Sequence, residues 1–146
     1  VGIGLTPCTI PAAGKPNFTI EPGKMEVGIG HHGEPGIEVM DLQPADKMAE
    51  MCLDIVLPDL PFAAGDDVVV LVSGLGATPV MEEYIFYNRV AEVLSEKKIN
   101  VYRPYVGDYF TSLEMMGITL TVMKLDDELK ELVDMDAYSM GLRQHG

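Results

Sequence analysis

Hydrophobic and polar positions divide the chain into alternating strand-like and helix-like segments. A continuous apolar run at 68–72 predicts a central strand that is buried on both faces. Alternation of apolar and polar residues over 117–124 predicts a second strand. Shorter patterns predict further strands at 25–30 and 99–106. The chain should therefore build a sheet around the 68–72 strand.

Three segments are predicted to be helical. The first, 44–57, begins at Pro44, which suits a first helical turn. The second, 79–97, has Thr78 as a candidate N-cap and two glutamates near its positive end. The third, 125–132, is short and acidic. The predicted apolar stripes contain Met48, Met51, Cys52 and Ile55 in the first helix, and Ile85, Val90, Val93 and Leu94 in the second.

The remaining segments are predicted to be loops. Residues 1–24 are rich in Gly and Pro and indicate a long ordered loop with a candidate short strand at 18–20. Residues 107–116 predict a polar, aromatic loop or strand pair, and the tail from Met135 is expected to be weakly structured. The order β-α-β-α-β-β-α indicates a two-layer α/β domain with a mixed sheet. Its crossover at 68–106 should be right-handed.

Composition narrows the functional classes. The 146 residues correspond to one domain, and a net charge of −13 disfavours binding to nucleic acids or anionic membranes. Two cysteines, Cys8 and Cys52, do not make a disulfide framework, so a cytoplasmic location is expected. The sequence has neither an apolar run of spanning length nor the layout of a signal peptide. Because it opens on Val1, we expect a piece of a longer protein.

Two adjacent histidines, His31 and His32, follow the 25–30 strand and precede a Gly-Glu-Pro-Gly turn. A neutral imidazole can attack a carbonyl, move a proton or bind a metal. Neighbouring side chains on a strand point to opposite faces, and no zinc-type spacing is present, so a metal site is disfavoured. A structural role, with one histidine capping the turn and the other on the surface, stays open. Glu34 could orient His32 or act as a base, but a local bond to the turn backbone is favoured.

Three further segments could carry chemistry. Residues 73–79 join a strand to a helix start, where anions can bind, but they lack a phosphate-loop motif, and a tight turn explains them equally well. Residues 107–117 gather hydroxyls, carboxylates and aromatic groups, which could line a polar site or form a bulge in which Tyr109 and Met115 pack in the core. The acidic run 126–128 could bind Mg²⁺, although a solvated helix start is favoured.

Four segments together resemble the dihydroxyacetone-binding (K) subunit of dihydroxyacetone kinases. They occur in the order found in that family and span nearly the whole chain. The segments are TPCTIPAAGKP at 6–16, HGEPGI at 32–37, LGATP at 75–79 and TSLEMMG at 111–117. The resemblance implies that residues 1–146 form one domain with the fold of the second of two K-subunit domains, the N-terminal domain being absent.

The resemblance also implies a role for His32. In the family, the matching histidine attacks the ketone of dihydroxyacetone and holds it as a covalent hemiaminal. His32 would therefore be both the catalytic and the substrate-binding residue. Such a bond selects short ketones and aldehydes over glycerol and orients a terminal hydroxyl for phosphoryl transfer. His31 departs from the family, which usually has an apolar residue there.

Further expectations follow from the same resemblance. No cofactor or metal is expected in this chain, because ATP or ADP with Mg²⁺ would sit on a separate nucleotide-binding (L) subunit or domain. The N-terminal K domain would supply an assisting histidine and aspartate, the donor would be ATP or a phosphotransferase-system protein, and the subunit would be a homodimer. The chain alone is not expected to be active. A non-catalytic dihydroxyacetone sensor that acts on a transcription regulator, and a purely structural half-domain, are the alternatives.

Overall fold

The computed structural model describes residues 1–16, 18–30 and 34–145. Six strands form one sheet, three α-helices accompany it, and a two-stranded hairpin lies near the C-terminus. The strands of the main sheet are β1 (Gly2–Gly4), β2 (Lys24–Val27), β3 (Glu38–Asp41), β4 (Asp67–Gly74), β5 (Asn100–Val106) and β6 (Gly117–Leu125). The helices are α1 (Ala45–Val56), α2 (Val80–Glu96) and α3 (Asp127–Val133), and the hairpin is β7 (Ala137–Tyr138) with β8 (Arg143–Gln144).

The main sheet is mixed, as the sequence predicts. Its strand order is β3-β2-β1-β6-β4-β5. β4 runs parallel to β5, and the other neighbouring pairs are antiparallel. β4 is flanked on both sides and most of its residues are buried, which confirms the prediction from the continuous apolar run at 68–72. The parallel β4-α2-β5 connection is also as predicted, while its handedness stays a prediction.

The core lies between the sheet and the pair α1 and α2. Alternate residues of β4 and β6 enter it, because successive side chains on a strand point to opposite faces. Val70 pairs with Val122 and Val72 with Leu120 across the two strands, and all four are buried in the core cluster. The fold is therefore a two-layer α/β domain.

Both long helices form where predicted, but their buried faces differ from the predicted stripes. Met48 and Cys52 of α1 and Val90 and Leu94 of α2 are buried as expected. Ile55 and Ile85 are exposed instead. The buried positions that the stripes omitted are Ala49 and Leu53 in α1, and Glu83 and Phe86 in α2. In both helices the buried face is displaced around the helix axis by a fraction of a turn from the predicted face. For this reason the pattern did not place Glu83 among the buried residues.

Several boundary predictions were wrong for local reasons. Pro79, not Thr78, occupies the N-cap position of α2, and the Thr78 hydroxyl bonds to the backbone of Gly117 instead. β2 ends at Val27 because Gly28 turns the chain with a φ of +78°. Residues 18–20 are not a strand.

Four short strands were missed. β1 lies within the predicted loop, β3 follows the histidine segment, and β7 and β8 pair within the predicted weakly structured tail. Each is only two to four residues long, too short to show a periodicity. Within the described ranges, no helix is both long and apolar enough to cross a bilayer.

Candidate functional site

A cavity of about 580 Å³ lies on the face of the sheet opposite α1 and α2. Glu26 of β2 and Thr119 of β6 line it, whereas their strand neighbours Met25, Val27 and Ile118 belong to the core. This is the alternation expected of a sheet that is buried on one face and open on the other. The cavity is therefore a product of the strand register.

The four segments singled out from the sequence meet at this cavity. Its lining includes Cys8 and Ile10 from the first segment, Glu34 and Pro35 from the second, Leu75 from the third, and Thr111, Ser112, Leu113 and Met115 from the fourth. The lining is mainly apolar, with hydroxyl and carboxylate groups among the apolar side chains. Such a mixture suits a small polar ligand that is oriented by a few polar contacts.

Backbone bonds join the third and fourth segments. The Leu75 amide donates to the Gly117 carbonyl at 3.2 Å, and the Met115 amide donates to the Leu75 carbonyl at 3.2 Å. Gly76 has a φ of +103°, and a Cβ atom there would overlap the Leu113 carbonyl oxygen. The LGATP segment is thus a tight turn, and its Gly76 leaves room for the backbone of the cavity wall at Ser112 and Leu113.

The first segment is held to the fourth by side-chain and backbone bonds. Glu114 accepts from the Thr9 amide at 2.6 Å and lies 3.9 Å from the Cys8 thiol. The Ser112 hydroxyl lies 3.3 Å from the same thiol, and the Thr6 hydroxyl accepts from the Met116 amide at 2.8 Å. A partly exposed thiol and a hydroxyl therefore stand side by side at the cavity wall.

The predicted site residue, His32, lies outside the described residues, as does His31. The residues on either side, Gly30 and Glu34, both line the cavity, and the Gly30 amide donates to the Glu34 carbonyl at 3.1 Å. This local backbone bond fits the turn role favoured for Glu34. Glu26 supports the same turn by accepting from the Gly36 amide at 2.6 Å.

The other candidate segments, 107–117 and 126–128, have structural roles. Asp126 caps α3 by accepting from the Leu129 amide, which confirms the helix-start interpretation of the 126–128 run. In 107–117, Met115 is buried and Tyr109 is exposed, so only the former packs as expected. Across the residues that the structure describes, no three His, Cys, Asp or Glu side chains come together as a metal site.

At the candidate anion site, 73–79, the carboxylate of Glu83 lies against Gly74. Glu83, in the first turns of α2, has no exposed surface. Burial, reinforced by the charge of Asp108, raises the pKa of Glu83, while the nearby Gly74 amide acts in the opposite direction. Because Glu83 and Asp108 already lie at this helix start, it is a poor place for a bound anion.

Sequence reasoning missed several residues at or near the site. Ile29 and Thr119 line the cavity without lying in the recognised motifs, and Glu26 both lines it and braces the turn. The position of Glu26 between two apolar strand residues was a usable signal for the open face. Glu83 was visible only as part of a Glu-Glu pair at a helix start, although its spacing from Phe86 and Val90 places all three on one helix face.

The fold and the site define a class of protein: an α/β domain with a mixed sheet whose open face carries a small-ligand cavity built from loop segments. Residues 1–141 match the family model described as the Dak1 domain. The chain belongs to the Dak1 domain family, and this confirms the resemblance that the four segments indicate.

Among curated relatives, the dihydroxyacetone-binding subunit DhaK of a PTS-dependent dihydroxyacetone kinase 2 from Listeria innocua is 45% identical over 134 residues, covering 92% of this chain and 40% of the relative. The DhaK subunit of the PEP-dependent dihydroxyacetone kinase from Escherichia coli is 35% identical over 166 residues, covering 97% of this chain and 47% of the relative. The chain thus spans less than half of each.

A solved structure with a similar fold is described as "Dihydroxyacetone kinase operon co-activator Dha-DhaQ". It superposes with a TM-score of 0.83 at 28% identity and covers 92% of this chain and 42% of that chain. The name of that structure refers to regulation of an operon, whereas the names of the curated relatives refer to kinase subunits.

Proposed function

We propose that the chain is part of the substrate-binding subunit of a dihydroxyacetone kinase and that His32 holds dihydroxyacetone as a covalent hemiaminal. The observation that carries the proposal is the convergence of all four family segments on one cavity. The two residues that flank the histidine segment line that cavity, which supports His32 as its reactive group. Similarity to DhaK subunits over most of the chain supports dihydroxyacetone as the ligand.

The covalent step is an addition that needs no further reagent. A neutral imidazole nitrogen of His32 attacks the ketone carbon, and a carbon–nitrogen bond forms as the carbonyl π bond breaks. The carbonyl oxygen takes up a proton, and the imidazole loses the proton of its other nitrogen. A protonated imidazole has no free lone pair, so binding should weaken as the pH falls through the pKa of the histidine.

The cavity walls supply the remaining requirements of a ketone site. Hydroxyl groups of Thr111 and Ser112 can bond to the two hydroxyls of the ligand, and apolar side chains around them exclude water. Holding the carbonyl carbon by a covalent bond leaves a terminal hydroxyl in a defined position, which favours phosphoryl transfer to it.

The phosphoryl donor would be held elsewhere in the assembly. ATP, or ADP phosphorylated by a phosphotransferase-system protein, with Mg²⁺, would bind to a separate nucleotide-binding subunit or domain. An N-terminal K domain would complete the site around His32, and the subunit would act as a cytoplasmic homodimer. This chain then contributes the ketone-holding half of the reaction.

Isotope-edited NMR tests the covalent bond directly. The intact protein, with ¹⁵N-labelled histidine, is mixed with dihydroxyacetone carrying ¹³C at its carbonyl carbon. We expect a tetrahedral carbon resonance with one-bond coupling to ¹⁵N, which distinguishes the hemiaminal from the free hydrate. The coupling should vanish in His32→Ala and persist in the matched control His31→Ala. Saturating ligand with no such coupling would refute the proposal, and ¹³C-labelled glycerol should give no adduct.

A sensor that binds dihydroxyacetone and acts on a transcription regulator is the second candidate. The observation that favours it is the structural similarity to the operon co-activator. A turnover assay with the cognate nucleotide-binding subunit and donor separates the two. Formation of the adduct together with dihydroxyacetone phosphate supports the kinase, whereas the adduct without turnover supports the sensor.

A further inference from the structure

Glu83 is a buried acid for which the described part of the chain provides no hydrogen-bond partner. It has 0% relative exposure, and neither carboxylate oxygen makes a well-formed hydrogen bond, even to the nearby Gly74 amide. Leaving an ionised carboxylate in this state is strongly unfavourable, because burial removes its hydration without replacing it. Something must neutralise the group in the folded protein.

The Glu83 carboxylate lies against the backbone at Gly74, close to the carboxylate of Asp108. A Cβ atom on Gly74 would overlap Glu83 Oε1 and would lie 2.6 Å from Asp108 Oδ1. The two carboxylate oxygens therefore meet at the Gly74 Cα, within about 5 Å of each other, where like charges oppose ionisation. Neither acid lines the cavity described above. Among the described residues no third metal-ligating side chain joins these two acids, so a proton is the group that can neutralise Glu83.

Among the described residues, the elements around Glu83 offer no cation to neutralise it. At this end of β4 the neighbours are the uncharged Ser73 and Gly74. The only basic residue of α2 is Arg89, and its guanidinium is bound to Glu50 of α1 and to Glu92.

The remaining titratable groups do not help either. Glu82 and Tyr84, on either side along α2, are exposed, and Tyr87 is a half-buried phenol. Among the described residues the charged group that acts on Glu83 is Asp108, which has the same sign.

We propose that the Glu83 carboxyl is protonated and donates to Asp108, so that one proton shared by the pair fastens the 107–116 segment to the β4–α2 junction. The two acids differ in environment, since Asp108 is exposed and solvated while Glu83 is enclosed. The proton therefore resides on Glu83 and the charge on Asp108. Two carboxyls in different surroundings commonly divide their roles in this way.

The fastened segment forms one wall of the cavity. Three residues beyond Asp108 the chain reaches Thr111, and Thr111 and Ser112 line the cavity. The Phe110 amide, next to them, donates to the Ser73 hydroxyl at 2.8 Å, and the Gly107 amide donates to the Val72 carbonyl at 3.1 Å, so the segment is bonded to β4 on both sides of Asp108. Glu83 and Asp108 are thus positioning residues that act on the site through this segment.

The pH dependence has a definite sign. Burial raises the pKa of Glu83, so the folded state holds this proton at pH values where the unfolded chain has lost it. The stabilisation is fully present below the ordinary glutamate pKa and decreases as the pH rises through the raised value. Above that value two carboxylates face each other and the 107–116 segment should loosen.

Two measurements on the intact protein, neither of which needs a ligand, test the proposal. The ¹³C resonance of the Glu83 carboxyl should titrate well above the ordinary glutamate range. Hydrogen exchange of the amides at 109–115, corrected for the intrinsic rate, should accelerate several-fold once Glu83 ionises, because the proton that fastens the segment is then lost.

Variants distinguish a role of Glu83 as a proton donor to Asp108 from a role in packing alone. In Glu83→Gln the amide donates to Asp108 at every pH, so the acceleration should disappear, while the matched control Glu82→Gln should keep the wild-type profile. An ordinary titration of Glu83, or the same pH-dependent acceleration in Glu83→Gln, would overturn the proposal. Because the carboxyl titration is measured on the wild type, it decides the matter even if a variant fails to fold.

Discussion

Replacing Gly76 by alanine should destabilise the protein by two separable effects. The residue has a φ of +103°, a conformation that costs an L-residue about 1–2 kcal/mol. In addition, the new Cβ would overlap the Leu113 carbonyl oxygen and lie 2.8 Å from its carbon and 3.0 Å from the Ser112 oxygen. These are backbone atoms, so relief requires the cavity wall to move.

Moving that wall breaks specific bonds. The Met115 amide donates to the Leu75 carbonyl at 3.2 Å, and the Ala77 amide donates to the Met115 carbonyl at 3.1 Å. Each such bond contributes about 1 kcal/mol net, so Gly76→Ala should cost about 3–4 kcal/mol in all.

Gly65→Ala is the matched control for backbone strain alone. Gly65 has a φ of +94°, and nothing lies within 4 Å of its Cβ position. It should therefore lose only about 1–2 kcal/mol. Urea unfolding monitored by circular dichroism gives both free energies, provided that the slope with denaturant is unchanged. Equal losses in the two variants would show that the contact between Gly76 and the cavity wall has no energetic weight.

Two further predictions concern single side chains. Burial raises the pKa of Cys52 to about 12, so a thiol-directed alkylating reagent should modify the partly exposed Cys8 at neutral pH and should reach Cys52 only after unfolding. Mass spectrometry of the digested protein measures the labelling of each cysteine, and equal labelling of both would contradict the prediction. Asp126→Ala should cost about 1 kcal/mol in thermal or urea unfolding through loss of the cap to Leu129, whereas the exposed neighbour Asp127→Ala should cost clearly less.

The regular elements were predictable because their patterns are long. The apolar run of β4 covers five residues, and the alternation in β6 and the patterns of the two long helices cover eight or more, so each pattern is long enough to identify its element. β1 and β3 escaped because strands of three and four residues are defined by their partners and not by their own sequence. The buried helix faces were misplaced for a related reason, since spacing gives a stripe but tertiary packing selects which side of it is covered.

The candidate site also has a part that could be predicted from the sequence and a part that depends on tertiary structure. The family motifs could be recognised in the sequence, and the turn at Gly76 follows from its glycine. The lining by Glu26 and Thr119 required the register of the sheet, and the Glu83–Asp108 contact joins residues 25 positions apart through a bend that no local pattern predicts. His32 remains a prediction from the resemblance.

The convergence of distant motifs on one cavity follows from strand pairing. Gly4 at the end of β1 pairs with Gly117 at the start of β6, and Gly74 at the end of β4 pairs with the next residue of β6, Ile118. Because these pairs are antiparallel, the segments after β1 and β4 and the segment before β6 emerge at the same edge. A shift of register by one residue would turn Thr119 into the core and Ile118 into the cavity. The same register that buries the core therefore assembles the site, and we expect core and site to be lost together.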